Sequence, residues 1–388
     1  MSEPQTTDGA AQGEGQGSAA GDDLVYRVGL EGFLAPVQSL LEDPTVSEIM
    51  IHGPNRVYVE RAGLLERTDI TFGSEHALLA AVNTIAQFCG KTISVKEPLL
   101  DGRLPDGSRV CVVLPPVSGD GISVNIRRFL RIAASPEFLL ENKAVTPEAL
   151  EFLELAVRAK RNILISGGTG SGKTTLLNIL SSWFEPTQRV VVIEDTRELQ
   201  LQQEHVIRLE ARPADEYGEG EVTIRELFVT SLRMRPDRIV VGEVRRGEAI
   251  DMIQAMNSGH GGTMSTVHAD SPSQACGRME VMCLLTDLGL PLHALRRQIA
   301  MALHLVVQTA RLHTGRRMIT HISEVEYDAP ENSYSFNHVF VLRPGADGLG
   351  LTWTGQRPKM AEEIDLYGLS DRVRLTESMW QAQAGKEP

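Results

Sequence analysis

The 388-residue chain is short of positive charge: 38 Lys and Arg stand against 51 Asp and Glu, a formal balance of −13. A protein whose main task is to grip a phosphate backbone carries the opposite excess, and aromatic residues do not interleave with the basic clusters here, so general nucleic-acid binding is disfavoured. No apolar run approaches the roughly 18 to 20 residues that cross a bilayer. The first basic residue is Arg27, so a secretory leader with a charged start is not expected, and the protein should stay in the cytosol. Cysteine is scarce: Cys89, Cys111, Cys276 and Cys283 include no C-x-x-C pair, which gives no sign of a zinc module or a disulfide framework. Cys276 and Cys283 have the spacing of two buried thiols on one helix face.

What the chain does have is the run Gly167, Gly168, Thr169, Gly170, Ser171, Gly172, Lys173, Thr174 and Thr175, which fits G-x-x-x-x-G-K-[ST]. Backbone N–H groups must close around phosphate oxygens in such a loop, and side chains on the inside of the curve would block them. Lys173 supplies a point charge for the outer phosphates, the Thr174 hydroxyl can take one position on Mg²⁺, and the helix that follows adds its positive end. An apolar run at 162–166 and helical spacing at 175–183 put the loop between strand and helix, as the mechanism requires.

Residues 1–23 are rich in Gly, Ser, Ala, Gln and acid, cannot recover their ordering entropy and are expected to be disordered. A small α/β domain follows over 24–131, with a helix at 33–41, strands at 46–50, 57–60, 110–114 and 122–127, and a helix at 77–88. Residues 132–147 read as a linker. Thr146, Pro147 and Glu148 then open a helix, and over 148–312 strands near 190–194, 206–209, 239–241 and 263–267 alternate with helices, one of them opened by a Thr223/Glu226 capping box. This alternation predicts an α/β fold with a mainly parallel sheet covered on both faces, its ligand at the carboxyl ends of the strands. Residues 313–388 read as an extension of strand and helix that serves as a docking surface.

Acids ending other strands are candidates for the chemistry. Glu243 closes RIVVGEV and suits a general base that polarises the attacking water; Glu194 and Asp195 end RVVVIED and would order Mg²⁺ through its waters. Gly242 stands where many phosphate-loop enzymes carry a metal-binding Asp, so metal binding must rest on Thr174, Glu194 and Asp195. His268 closes a predicted strand and is a candidate sensor of the terminal phosphate, with His260 a weaker one. Arg103, Arg109, Arg127 and Arg128 of the small domain are candidates to meet transition-state charge.

Together these motifs resemble the secretion ATPases of type II and type IV systems, and among them the CpaF/TadA-like motors of Tad (Flp) pilus assembly. The resemblance runs over almost the whole chain. It includes SEIMIHGPNRVYVER at 47–61, PLLDGRLPDGSRV at 98–110, IRRF at 126–129, IEDTRELQL at 193–201, RMRPDRIVVGEVR at 233–245, AMNSGHGGTMSTVHA at 255–269, ITHISEV at 319–325 and TGQRPK at 354–359. It implies a RecA-like motor domain in a homo-hexamer of two-domain subunits that uses ATP and Mg²⁺. It also implies peripheral docking on an inner-membrane platform protein, with no specific nucleic acid. Glu194 and Asp195 fall in the family's Asp box, Gly242 and Glu243 in its Walker B, and His260 and His268 in its His box. The four arginines match residues that reach nucleotide across a domain interface. Arg246 and Gly261 depart from the family pattern.

Three functions compete at this point: a mechanochemical ATPase that moves pilin subunits, a nucleic-acid translocase or recombinase on the same core, and a nucleotide-gated scaffold. The basic clusters at 311–317 and 127–131 are the best support for the second, and Glu243 speaks against the third.

Overall fold

The computed structural model describes residues 32–61, 63–129, 135–214, 218–286, 289–345 and 348–381. The tail expected to be disordered lies outside them. The chain divides between residues 130 and 131 into two compact units.

In the first unit, helix α1 (Gln38–Glu42) leads into strands β1 (Val46–His52), β2 (Val57–Arg61) and β3 (Leu64–Arg67). Helix α2 (Glu75–Phe88) and strands β4 (Leu99–Arg103), β5 (Arg109–Val113) and β6 (Ser123–Arg127) follow. The six strands form one antiparallel sheet in the order β3-β2-β1-β6-β5-β4. Alternation dictates its faces: Ile49, Val59, Val110, Val112, Val124 and Ile126 are buried with Leu78, Val82 and Ile85 of α2, and the residues between them point the other way. β3 escaped the sequence reading because all four of its residues are exposed, so it has no alternation to read.

The second unit begins with helix α3 (Pro136–Glu141), inside the stretch read as a linker. Its start signal is local: the Ser135 side chain accepts the Phe138 N–H and Pro136 occupies the first turn. Helix α4 (Pro147–Arg158), strand β7 (Ile163–Gly167), helix α5 (Lys173–Ser181), strands β8 (Val190–Glu194) and β9 (Val206–Glu210), helix α6 (Ile224–Ser231) and strand β10 (Arg238–Val241) come next. Then follow helix α7 (Glu248–Asn257), strand β11 (Met264–Val267), helices α8 (Pro272–Leu284) and α9 (Leu292–Ala302) and strands β12 (Leu305–Arg311), β13 (Arg317–Asp328), β14 (Ser333–Gly345) and β15 (Gly348–Trp353). A short helix, α10 (Glu377–Gln381), comes last.

One nine-stranded sheet holds this unit, in the order β15-β14-β13-β12-β7-β11-β10-β8-β9, parallel from β12 to β9 and antiparallel from β12 to β15. Both faces are covered. Ile163, Ile165, Val190 and Val192 pack with α4 and α5, while Leu164, Val191 and Ile193 pack with α6 to α9. The thiols of Cys276 and Cys283 are in the second layer, each pushed up to about 12 by burial, which makes them inert packing groups. Residues beyond 312 continue the sheet through the β12–β13 hairpin, so the extension grows out of the same sheet. The last residues are strapped to the first layer: the Glu151 carboxylate accepts the amides of Arg374, Leu375 and Thr376, and Trp380 stacks on Phe152 at 5.7 Å.

The amino edge of the parallel strands is held by buried polar groups. Arg238 donates to Gln188 Oε1 and to the Val157 carbonyl, both at 2.9 Å, and lies over the Phe184 ring. A Cβ on Gly262 would come within 2.2 Å of its guanidinium, so that position has no room for a side chain. His304 Nδ1 accepts the Asn162 N–H at 2.9 Å. Burial, with help from Arg161, holds this imidazole down at about 4. Below about pH 6.5 the unfolded chain takes up a proton that the folded chain refuses until about pH 4, so this group removes stability progressively across that window. His304→Asn, which keeps an acceptor for Asn162, should therefore lose less melting temperature than the parent between pH 7 and pH 4, by a few degrees. Equal acid slopes in calorimetric melts would contradict the assignment.

Candidate functional site

The loop between β7 and α5 is shaped by what surrounds it. A Cβ on Gly167 would meet Thr309 Oγ1 at 2.3 Å and Ser171 Oγ at 2.4 Å, and Gly170 and Gly172 have φ of +69° and +95°. All three positions therefore require glycine. Ser171 Oγ donates to the Gly168 carbonyl at 2.9 Å and meets Thr309 Oγ1 at 2.8 Å, which ties the loop to β12. Lys173 is buried, and its Nζ reaches back to donate to the carbonyls of Gly167 at 2.8 Å and Gly168 at 2.9 Å. Thr174 and Thr175 follow in the first turn of α5.

Strand order does the rest. β11 lies between β7 and β10, and β8 flanks β10, so the residues that leave the carboxyl ends of these strands form a row. His268 Nδ1, after β11, is 3.1 Å from Lys173 Nζ and 3.3 Å from Glu243 Oε1. Burial first, then the charge of Lys173, lowers the affinity of this imidazole for a second proton. Its ring nitrogen can therefore accept from the ammonium or donate to the carboxylate. Glu194, at the end of β8, is the most enclosed member. One oxygen accepts the amides of Glu198 and Leu199, both at 2.8 Å, while Oε2 is buried with no partner. Burial raises its carboxyl above the usual range.

Gly242 accounts for the space Glu194 occupies. A Cβ there would lie 3.0 Å from Glu194 Cγ and 3.5 Å from Oε1. An Asp at 242 and the Glu at 194 would compete for one volume, and this chain has put its acid on the neighbouring strand. The peptide of Gly242 is fixed by Thr266, whose Oγ1 donates to the Gly242 carbonyl at 2.7 Å.

Arg245 escaped the sequence reading. It donates to Glu243 Oε2 at 2.7 Å and to Asp195 Oδ2 at 3.2 Å, and its own backbone is held by the buried Glu248 carboxylate, which accepts the N–H groups of Arg245 and Arg246. The available signal was its position two residues past Glu243. Asp195 is half-exposed and paired with this arginine, so of the two adjacent acids only Glu194 presents an unsatisfied buried oxygen.

Two groups of expected residues fall elsewhere. His260 precedes β11 while His268 follows it, so four strand residues separate them and His260 is at the amino edge, where it faces Lys160 and Arg238 around a cavity of about 580 Å³. It is not brought to the phosphate loop. In the first unit, Arg103, Arg109 and Arg127 stand opposite one another on β4, β5 and β6, forming a row across the face that carries no core. Arg128 departs from that row. Alternation turns it to the opposite face, where its guanidinium donates to the carbonyls of Leu40, Asp43 and Val46.

Among the described residues no group of three or more His, Cys, Asp or Glu could hold a metal alone, and no helix is long and apolar enough to cross a membrane. The donor set still fits Mg²⁺, which binds through one or two protein groups plus substrate phosphates and keeps several waters. Thr174 Oγ1 and the unpartnered Glu194 Oε2 are the groups suited to it.

The whole pattern has relatives. Residues 32–335 match the family described as type II/IV secretion system protein. A Mycobacterium tuberculosis protein named for conjugal transfer is 36% identical over 298 residues, covering 75% of this chain and 83% of the relative. The type IV secretion system protein VirB11 of Brucella suis is 34% identical over 323 residues, covering 76% and 89%. The fold is similar to the crystal structure of the pilus retraction motor PilT with bound ADP, at a TM-score of 0.51 and 17% identity over 92% of this chain and 90% of that one. The fold is a RecA-like α/β one, and this chain belongs to the type II/IV secretion system protein family.

Proposed function

We propose that this chain is an ATP-hydrolysing motor that drives pilin assembly, the CpaF/TadA-like branch of its family, working as a homo-hexamer on an inner-membrane platform protein. ATP hydrolysis is the activity common to the family. The narrower assignment to Tad (Flp) pili rests on motifs that run from 47–61 to 354–359. The observation that carries the catalytic reading is the contact chain at the carboxyl edge, from Lys173 through His268 and Glu243 to Arg245 and Asp195, with Glu194 beside Gly242.

In this reading the amides of residues 167–175 and Lys173 hold the β- and γ-phosphates. Glu243 takes the proton of a water as its oxygen forms a bond to the γ-phosphorus, and the bond to the β,γ-bridging oxygen breaks to leave ADP and inorganic phosphate. His268, whose burial and neighbouring Lys173 disfavour a second proton, reports the state of the γ-phosphate to Glu243. Mg²⁺ would neutralise charge on the departing phosphates. Thr174 Oγ1 would hold the ion, and Glu194 Oε2 would accept from one of its waters. Arg103, Arg109 and Arg127 meet transition-state charge in the assembled enzyme, and Arg128 has a structural task instead.

Glu243→Gln should bind ATP like the parent and hydrolyse it about 10² to 10⁴ times more slowly; parental turnover would remove Glu243 from its role. Gly242→Ala adds only a methyl group, at a backbone conformation open to alanine, yet should displace Glu194 and cut turnover about tenfold or more with the melting temperature almost kept. An active Gly242→Ala enzyme would show that Glu194 need not sit where it does. If guanidiniums from the first unit are required in the ring, turnover per subunit should rise with protein concentration as hexamers form, and a fully active monomer on size-exclusion chromatography would contradict this.

A further inference from the structure

The basic cluster at 311–317, with three arginines and a histidine and no acid, remains to be placed. It forms the β12–β13 hairpin. β12 pairs in parallel with β7, Thr309 opposite Gly167, and runs two residues further to Arg311, where the chain turns and comes back at Arg317. The hairpin therefore rises beside the phosphate loop at the same edge of the sheet. Arg317 Nε donates to the Gly170 carbonyl at 2.9 Å. A Cβ on Gly172 would be 3.6 Å from Arg317 Cδ, and one on Gly170 would be 3.5 Å from Arg311 Nη1. Two of the three arginines thus lie beside loop glycines, and Arg317, although exposed, is committed to a loop carbonyl.

Peptide geometry gives the contact a consequence. In a trans peptide the carbonyl and the N–H point in opposite directions. With the Gly170 carbonyl drawn outward to Arg317, the Ser171 N–H of the same peptide is turned into the loop, where it meets the Gly168 carbonyl at 3.4 Å, longer than a good N–H···O bond. That amide is one of the donors a phosphate needs.

We propose that Arg317 is a positioning residue for nucleotide: by holding the Gly170 carbonyl from the neighbouring hairpin, it keeps the Ser171 amide aimed at the bound phosphates. The proposal deepens the ATP reading and rests on it. Its effect is on affinity and not on the chemical step. Because Gln carries an N–H donor the same number of bonds from the backbone as Arg Nε, Arg317→Gln separates the hydrogen bond from the charge.

The test measures MgADP binding by calorimetry and steady-state ATP hydrolysis on the full chain, with Arg317→Ala, Arg317→Gln, Arg316→Ala and Lys173→Ala. Arg317→Ala should weaken ADP binding and raise KM by roughly tenfold, the worth of about one good hydrogen bond, with kcat within about twofold of the parent. Arg317→Gln should recover most of that loss, and Arg316→Ala, at the exposed tip, should match the parent. Parental affinity in Arg317→Ala, or a Gln variant as weak as Ala, would overturn the proposal. So would a duplex oligonucleotide that binds the parent and is released by Arg317→Ala, which would return the hairpin to a nucleic-acid role. A parent that takes up no ADP, or a Lys173→Ala protein that binds as well as the parent, would instead bring down the ATP reading itself.

Discussion

A carboxylate packed where a neighbouring residue has no side chain sets the geometry of this site. Glu194 is almost fully buried, satisfied on one oxygen by two loop amides and on the other by nothing. A buried carboxylate is costly to strand without a partner, so the fold must recover the cost elsewhere. It fixes one oxygen with the Glu198 and Leu199 amides and leaves the other without a partner. Gly242 is the other half of the arrangement. A Cβ there would press on the Glu194 side chain, 3.0 Å from its Cγ, on the strand beside the one that carries Glu243.

The sheet makes this constraint useful. Because β11 is inserted between β7 and β10, the histidine that ends it falls between the loop lysine and the acid that ends β10, and each lies within about a hydrogen bond of the next. Sequence neighbours would not do this: Lys173 and His268 are brought together across 95 positions. The carboxyl edge thereby holds a line of ammonium, imidazole, carboxylate, guanidinium and carboxylate. A change at any member is felt by the next. The same edge receives the β12–β13 hairpin, whose Thr309 and Arg317 brace the loop from the side opposite β11. The phosphate loop is therefore a part of the sheet's framework, held by both neighbours of β7.

Much of this was legible in the residues. GGTGSGKTT announces its own mechanism because Gly167, Gly170 and Gly172 stand where a side chain would clash or strain the backbone, and the apolar strands of the parallel sheet stand out because both their faces are buried. Glu243, Glu194 and His268 could be picked out as polar residues closing such strands. What could not be read depended on tertiary neighbours. Arg245 reads as one more surface arginine until Asp195 comes into reach. Arg128 and Arg127 are adjacent in sequence and equivalent in composition, yet the pleat sends one to solvent and the other to three backbone carbonyls. His260 and His268 share a glycine-rich segment, but a four-residue strand carries them to opposite edges. The hairpin arginines looked like a nucleic-acid stripe because nothing local shows that they fold back on glycines more than 140 positions away.

The central claim is that Glu194, and not a residue at position 242, supplies the acid that completes the metal shell beside the nucleotide. The most direct measurement is a crystal structure of the assembled chain with a slowly hydrolysed ATP analogue and Mn²⁺ in place of Mg²⁺, the metal located by its anomalous signal. The account predicts the metal on Thr174 Oγ1 and the phosphates, with Glu194 Oε2 accepting from one of its waters and the Gly242 Cα packed against the carboxylate. A metal whose waters make no contact with Glu194, or a Glu194 carboxylate still without a partner in that complex, would contradict it.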